Sequence, residues 1–339
     1  LEGPNIFAAG QNGCKDMKTK KLGRTGIDIP VFGIGTAFLG GRARSGDFSQ
    51  MDEDLGVQTI IDAVEAGCRL IDTAPLYCAT KSEKMIGRAL RARPDLKEGL
   101  IVTTKVGQTV EGRDYSYDAI MKNVEDSQKR LGLDQFEILY VHDAMNVPME
   151  QILGKGGAVE ALRRLQEEGL VRFIGTAAND PDANGQFIET GEFDVAVVAD
   201  AWSLLNQRAS TWIFPAAEKH DVGIVLATPL ERGLLATGPT QANQYLNRNF
   251  SEAVLNHVGK LKNLCLDYEI PMVAVALQWC LRHPMVSTII PGVSNPEEAL
   301  QNLEAVSVEI PDQFWNDLER LVMDMSESRF IVEIKDVIE

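Results

Sequence analysis

Four side chains of complementary chemistry stand at the ends of short apolar runs: Asp72, Tyr77, Lys105 and His142. Asp72 lies in RLIDTA (69–74), just ahead of Tyr77; Lys105 lies in LIVTTKV (100–106) and His142 in EILYVHD (137–143). A free phenol loses its proton near about pH 10, too high for a base at neutral pH. A neighbouring ammonium stabilises the phenolate, and a carboxylate holds that ammonium in place. An imidazole can orient a carbonyl or hydroxyl oxygen against the phenol. Such a set needs no metal and no nucleophile. It moves a proton at a C–O centre while hydride moves elsewhere, which suits carbonyl–alcohol interconversion with a nicotinamide cofactor. Singly, each residue has a structural explanation: a cap, a rim aromatic, half of an ion pair, a core histidine. Their placement at one end of three consecutive strands favours chemistry.

The elements that must carry them alternate. Strand-like runs are IPVFGIG (29–35), RLIDTA, LIVTTKV, EILYVHD, VRFIGTA (171–177), FDVAVVAD (193–200), VGIVLAT (222–228) and VSTIIPG (286–292). Between them, apolar residues recur at helical spacing, as in 55–67, 116–133 and 158–170. Gly67 and Gly169 stop two of these stretches, and Asn295-Pro296-Glu297-Glu298 opens another. Alternation implies parallel pairing with right-handed crossovers. The expected fold is therefore α/β, a single (β/α)8 TIM barrel, in which catalytic groups sit at the carboxyl ends of strands. A dinucleotide-binding G-x-G-x-x-G is absent: Gly33-Ile34-Gly35 lacks its third glycine. Gly154-Lys155-Gly156-Gly157 lacks the spacing and terminal Ser or Thr of a phosphate loop. The segment KKLGRTGIDIP (20–30) reads as an N-terminal β-hairpin that plugs the closed end.

Over residues 18–308 the chain resembles the aldo-keto reductase superfamily. The carrying motifs are LGRTGIDIPVFGIGTA, IDTAPLY with SEKMIGRAL, VTTK, ILYVHD, VRFIGTA, WSLLNQ (202–207), ATPLERGLL (227–235) and IIPGVSNPEEALQNL (289–303), in order. The resemblance implies Tyr77 as general acid/base, Lys105 and Asp72 as its tuning pair, and His142 as the residue that orients the substrate oxygen. It also implies a cofactor extended across the barrel mouth, touching Thr36, Asp72, Asn179, Trp202, Pro229, Leu230, Gly233, Gly292, Ser294, Glu298 and Asn302. Trp202 stands where a nicotinamide-stacking aromatic is expected, and Pro229, Leu230 and Gly233 match the loop around the pyrophosphate.

Departures from the family pattern carry information. Ala177-Ala178 replace the serine-asparagine expected after the fifth strand, leaving Asn179 as the substitute for binding the carboxamide. A similar offset occurs in the branch of galactose and threo-aldose dehydrogenases. Cations expected at the 2′-phosphate subsite are Gly292 and Glu298 here. A carboxylate repels a 2′-phosphate and accepts from ribose hydroxyls, so the expected cofactor is NAD, with NADP as the alternative, and the direction oxidative.

The loops after the first, fourth and seventh strands (37–50, 143–157 and 231–250) should form the substrate pocket, with Phe38, Tyr77, His142 and Asp143 closest; Trp212, Arg42 and Arg44 are further candidates. An aldose is the expected substrate, and an aromatic or pyridoxal-like aldehyde or alcohol the alternative. A cofactor-binding, redox-sensing regulatory subunit is a third reading; a missing catalytic residue would mark it, and all four are present. Cys78, adjacent to Tyr77, is a candidate for thiol reagents that obstruct the pocket.

Bulk properties set outer limits. The chain has 339 residues, 45% hydrophobic and 24% charged, enough for one large core. A formal charge of −16 argues against nucleic acid or an anionic membrane surface as a partner. Five dispersed cysteines without a CxxC pair suit a reducing compartment, so a cytoplasmic location is expected. Residues 1–16 read as a loose extension, 17–325 as the barrel and 326–339 as a tail.

Overall fold

The computed structural model describes residues 17–41, 51–239, 244–245 and 248–330. The expected extension at 1–16, Arg42 and Arg44, and the end of the tail from 331 lie outside the described residues. Eight strands form one parallel sheet in sequential order: β1 (Ile34–Gly35), β2 (Leu70–Asp72), β3 (Ile101–Val106), β4 (Phe136–His142), β5 (Val171–Ala178), β6 (Val195–Val198), β7 (Gly223–Ala227) and β8 (Val286–Ile290). The first and last are joined by parallel bridges, Phe32 to Ile289 and Gly35 to Gly292. Backbone hydrogen bonds such as Gly33 N to Ile289 O and Gly35 N to Pro291 O, each 2.9 Å, seal that seam. The sheet is thus a (β/α)8 barrel.

The helices start and stop for local reasons. Asp52 caps α1 (Glu53–Glu65) by accepting from Leu55 N, and Asp180 caps α5 (Pro181–Glu189) through Asp182 N and Ala183 N. The outer layer also includes α2 (Lys81–Ala92), α3 (Tyr117–Leu131), α4 (Ala158–Glu167) and α6 (Ile213–His220). It continues with α7 (Glu252–Asp267), α8 (Met272–Arg282) and α9 (Pro296–Ala305). Among the described residues, no single helix is long and apolar enough to cross a membrane.

The antiparallel hairpin Thr19–Lys21 with Asp28–Pro30 caps the amino end. Its Leu22 and Ile29 are fully buried in the barrel interior with Leu70, Ile138, Tyr140, Val195 and Val225. The larger cluster, including Ile71, Val102, Leu139 and Val141, fills the space between sheet and helices. Side chains alternate across a strand, so three inward rows can be followed upward: Leu70 to Asp72, Ile101 through Thr103 to Lys105, and Ile138 through Tyr140 to His142. The last inward residue of each row is one of the four candidates. Beyond the expected boundary at 325, Ser326–Phe330 pack onto the barrel, with Arg329 buried.

Candidate active site

At the carboxyl ends of β2 and β3, the Lys105 ammonium lies 2.5 Å from Asp72 Oδ2 and donates to the Thr73 carbonyl at 2.9 Å. Thr103, two residues below Lys105 on the same face, donates to Asp72 Oδ1 at 2.9 Å. Both carboxylate oxygens are therefore engaged, and Lys105 is held on two sides. Its Nζ sits 4.6 Å from the centre of the Tyr77 ring. Burial alone depresses the Lys105 ammonium, but the Asp72 carboxylate and Tyr77 outweigh it and hold it above its ordinary value. Lys105 is therefore a cation at neutral pH beside the phenol.

Tyr77 is half-buried on a 3-10 turn after β2. The next three residues, Cys78, Ala79 and Thr80, all have positive φ (52°, 53° and 71°). Strain of this kind outside glycine persists only where surroundings enforce it. Thr36 and Ser82 help: Thr36 Oγ1 donates to the Asp72 carbonyl at 2.9 Å, and Ser82 Oγ bridges Thr36 at 2.7 Å and Thr73 at 2.9 Å. Burial pushes the Tyr77 phenol above its usual value; Lys105 opposes that rise, while Asp72 and Asp143 add to it.

The His142 ring meets the Tyr77 ring edge-on, centroids 5.7 Å apart. Burial, Lys105 and Arg113 hold this imidazole well below its usual range, so it is neutral. Among the described residues its buried Nδ1 has no hydrogen-bond partner. The Tyr115 hydroxyl donates to the His142 carbonyl at 2.6 Å and fixes the strand end. The next residue, Asp143, turns into the left-handed region (φ 47°) and is 5% exposed. Its two oxygens accept from Asn179 N at 3.0 Å and Asn179 Nδ2 at 3.2 Å. Burial raises the Asp143 carboxyl, opposed by Asn179 and Arg113. A phenol, a neutral imidazole and a buried ammonium thus converge on one point, able to move a proton at a bound C–O group.

Other candidates divide. Pro229, Leu230 and Gly233 (φ 98°) form the turn after β7, and Asn302 is buried on α9. Gly292 is exposed, and a Cβ built on it would lie 3.9 Å from the Phe38 ring. Glu298 accepts from Ser294 N at 2.8 Å and Ser294 Oγ at 2.9 Å at the start of α9.

Several expectations need correction. Trp202 cannot stack on a nicotinamide: its ring stacks on Trp279 of α8 at 4.9 Å and meets Phe214 and His283 at 5.0 and 4.7 Å, within the helix layer. Thr36 is fully buried with both its hydroxyl and backbone N–H on the Asp72 carbonyl, so it has no donor left for a cofactor contact, while the Asp72 carboxylate accepts from Lys105 and Thr103. Ser294 directs its donors to Glu298. Trp212 packs over Gly185 of α5. Cys78 is 2% exposed, with burial pushing its thiol to about 12, so it is inert rather than reagent-accessible.

Thr103, Tyr115 and the Asp143–Asn179 pairing were missed as positioning groups. Thr103 had a signal, since it shares the inward face of its strand with Lys105. Tyr115 had none, because it reaches His142 from the loop beyond the hairpin Gln108–Thr109 with Gly112–Arg113.

With this geometry in place, comparison with known proteins is informative. The Aldo/keto reductase family matches residues 31–323. Pyridoxal 4-dehydrogenase of Microbacterium luteolum is 30% identical over 340 residues, covering 90% of this chain and 97% of that protein. D-threo-aldose 1-dehydrogenase of a Pseudomonas species is 28% identical, covering 86% and 94%. The holo form of an aldo-keto reductase from Bacillus halodurans superposes with a TM-score of 0.73 at 26% identity, covering 91% of this chain and 97% of that one. This chain therefore belongs to the aldo/keto reductase family and is an NAD(P)-dependent oxidoreductase acting on small carbonyl or alcohol substrates.

Proposed function

We propose that the enzyme oxidises an aldose, with NAD as the hydride acceptor. The observation that carries this reading is the Asp143–Asn179 pair directly beside His142, a buried carboxylate joined to an exposed amide, which lines the reacting position with groups suited to a hydroxyl-rich substrate. The substrate hydroxyl would lie between the His142 imidazole and the Tyr77 hydroxyl. His142, being neutral, can accept or donate one hydrogen bond and so fixes the oxygen. Tyr77, in the phenolate form that Lys105 stabilises, takes the hydroxyl proton and becomes the neutral phenol as hydride leaves the substrate carbon. A bound nicotinamide supplies the hydride acceptor.

The residues present fit such a cofactor. The left-handed turn ending in Gly233 would hold the pyrophosphate with Pro229 and Leu230, and Asn179 the carboxamide. Gly292, Glu298 and Asn302 would receive the adenosine end. The Glu298 carboxylate already occupies the donors of Ser294 ahead of α9, where an anion would otherwise be favoured. That arrangement disfavours a 2′-phosphate and supports NAD over NADP.

A second reading, oxidation of a pyridoxal-like alcohol or aldehyde, is favoured by the likeness to pyridoxal 4-dehydrogenase and by the half-buried Phe38 ring beside Gly292. Steady-state rates across aldoses, pyridoxal and simple alcohols, each with NAD and NADP, separate the two. Aldose turnover above pyridoxal turnover supports the first reading; the reverse order replaces it with the second.

A further inference from the structure

The turn after β7 is held from a distance by the chain's far end. Thr228, Glu231, Arg232 and Gly233 have φ of 57°, 44°, 62° and 98°, so three consecutive residues are left-handed and two of those are not glycine. Such non-glycine conformations are strained and persist only where the surroundings enforce them. Arg329 supplies enforcement. Its Nη1 contacts Glu231 Oε2 at 2.9 Å and Oε1 at 3.2 Å, and Ser203 Oγ donates to Glu231 Oε1 at 2.5 Å. Glu231 is 1% and Arg329 7% exposed. Next along the turn, Arg232 pairs with Asp200.

Arg329 is itself fastened. Its carbonyl accepts from Ser251 N at 2.9 Å, Phe330 packs on Phe250 with centroids 5.1 Å apart, and Met325 N donates to Leu205 O at 2.9 Å. The segment 325–330 therefore bridges the loop after β6, the start of α7 and the turn after β7. In (β/α)8 barrels the loops after the seventh and eighth strands frequently form the phosphate site.

We propose that Arg329 is a positioning residue for the cofactor: its clasp on Glu231 holds the 228–233 turn in the strained shape that receives a pyrophosphate. This rests on the reading that Pro229, Leu230 and Gly233 surround that group. Without the clasp the turn relaxes, a smaller fraction of molecules presents the binding shape, and apparent affinity falls by that fraction.

The test compares wild type, Arg329→Met and Arg329→Lys by NADH fluorescence titration, hydrogen exchange over residues 228–235, and KM for NAD against kcat. Arg329→Met is expected to weaken NADH binding about tenfold, with KM rising more than kcat falls and exchange protection lost in the turn. Arg329→Lys keeps the charge on a shorter side chain of different shape, and should fall between the two; it carries the test if Arg329→Met does not fold. Lost protection with unchanged NADH affinity would overturn the pyrophosphate reading. Unchanged protection in both variants would overturn the clasp, whatever the affinity.

Discussion

The Lys105 ammonium touches the Asp72 carboxylate at 2.5 Å while standing 4.6 Å from the centre of the Tyr77 ring, so one buried cation serves a structural anion and a reactive phenol together. Asp72 fixes the position of the charge and Lys105 projects it onto Tyr77. Thr103 and the Thr73 carbonyl remove the remaining freedom.

Lys105→Met should lower turnover by about 10²–10⁴-fold. Oxidation needs the phenolate, so its rate should rise with pH in the wild type. Burial holds the phenol above its ordinary value and Lys105 opposes the rise, so removing Lys105 should move the midpoint further to alkaline pH. Reduction needs the phenol and should stay level across neutral pH. The variant leaves the Asp72 carboxylate buried without its cation, which costs on the order of 3–5 kcal/mol, so Asp72→Asn is added to restore folding. A pH–rate profile unchanged in either variant would rule out the tuning role.

Glu298 governs cofactor choice in this reading. Two negative groups about 4 Å apart repel by ~1–4 kcal/mol between water-like and surface-like dielectrics. Wild type should prefer NAD over NADP by at least about tenfold in kcat/KM. Glu298→Arg with Gly292→Lys should narrow or reverse that ratio, and should also lower Tm, because the bonds to Ser294 are lost. Glu298→Gln, which can keep a contact to Ser294 without charge, should narrow the ratio with little loss of Tm. Kinetics with both cofactors at low salt decide; a wild type that favours NADP removes Glu298 from the ribose site.

Gly175 on β5 marks where the barrel interior has no room. A Cβ there would lie 2.4 Å from Tyr140 Cδ1 and 2.6 Å from the Val195 carbonyl. Gly175→Ala should destabilise the fold by roughly 1–3 kcal/mol through overpacking, read as a lower midpoint in urea. An unchanged midpoint would show that the Tyr140 ring can move aside.

What was legible in the sequence follows from the range of the forces involved. The caps at Asn295, Gly67 and Gly169 and seven of the eight strands are local signals that stand where expected within a few residues; of the first expected strand (29–35), Ile29 and Pro30 belong to the hairpin and only Ile34–Gly35 forms the barrel strand. Asp72, Lys105 and His142 were legible because they end inward-facing rows, and Tyr77 because it follows β2 within a few residues. Trp202 was misplaced because alignment with a motif fixes a residue's position and not the side its ring takes; Trp279, Phe214 and His283 arrive from elsewhere and draw it outward. The left-handed run Cys78–Thr80 was invisible, since no glycine announces it. Arg329 pairs with a residue 98 positions away, so no window along the chain could contain both.

The most direct test of the proton relay is Tyr77→Phe, assayed in parallel for turnover and for NADH binding. The ring and its contacts with Lys105 and His142 can persist without the hydroxyl, so folding and cofactor affinity should hold. Turnover should fall by roughly 10²–10⁴-fold or more in both directions. A Tyr77→Phe enzyme that oxidises its substrate at near the wild-type rate would contradict the relay.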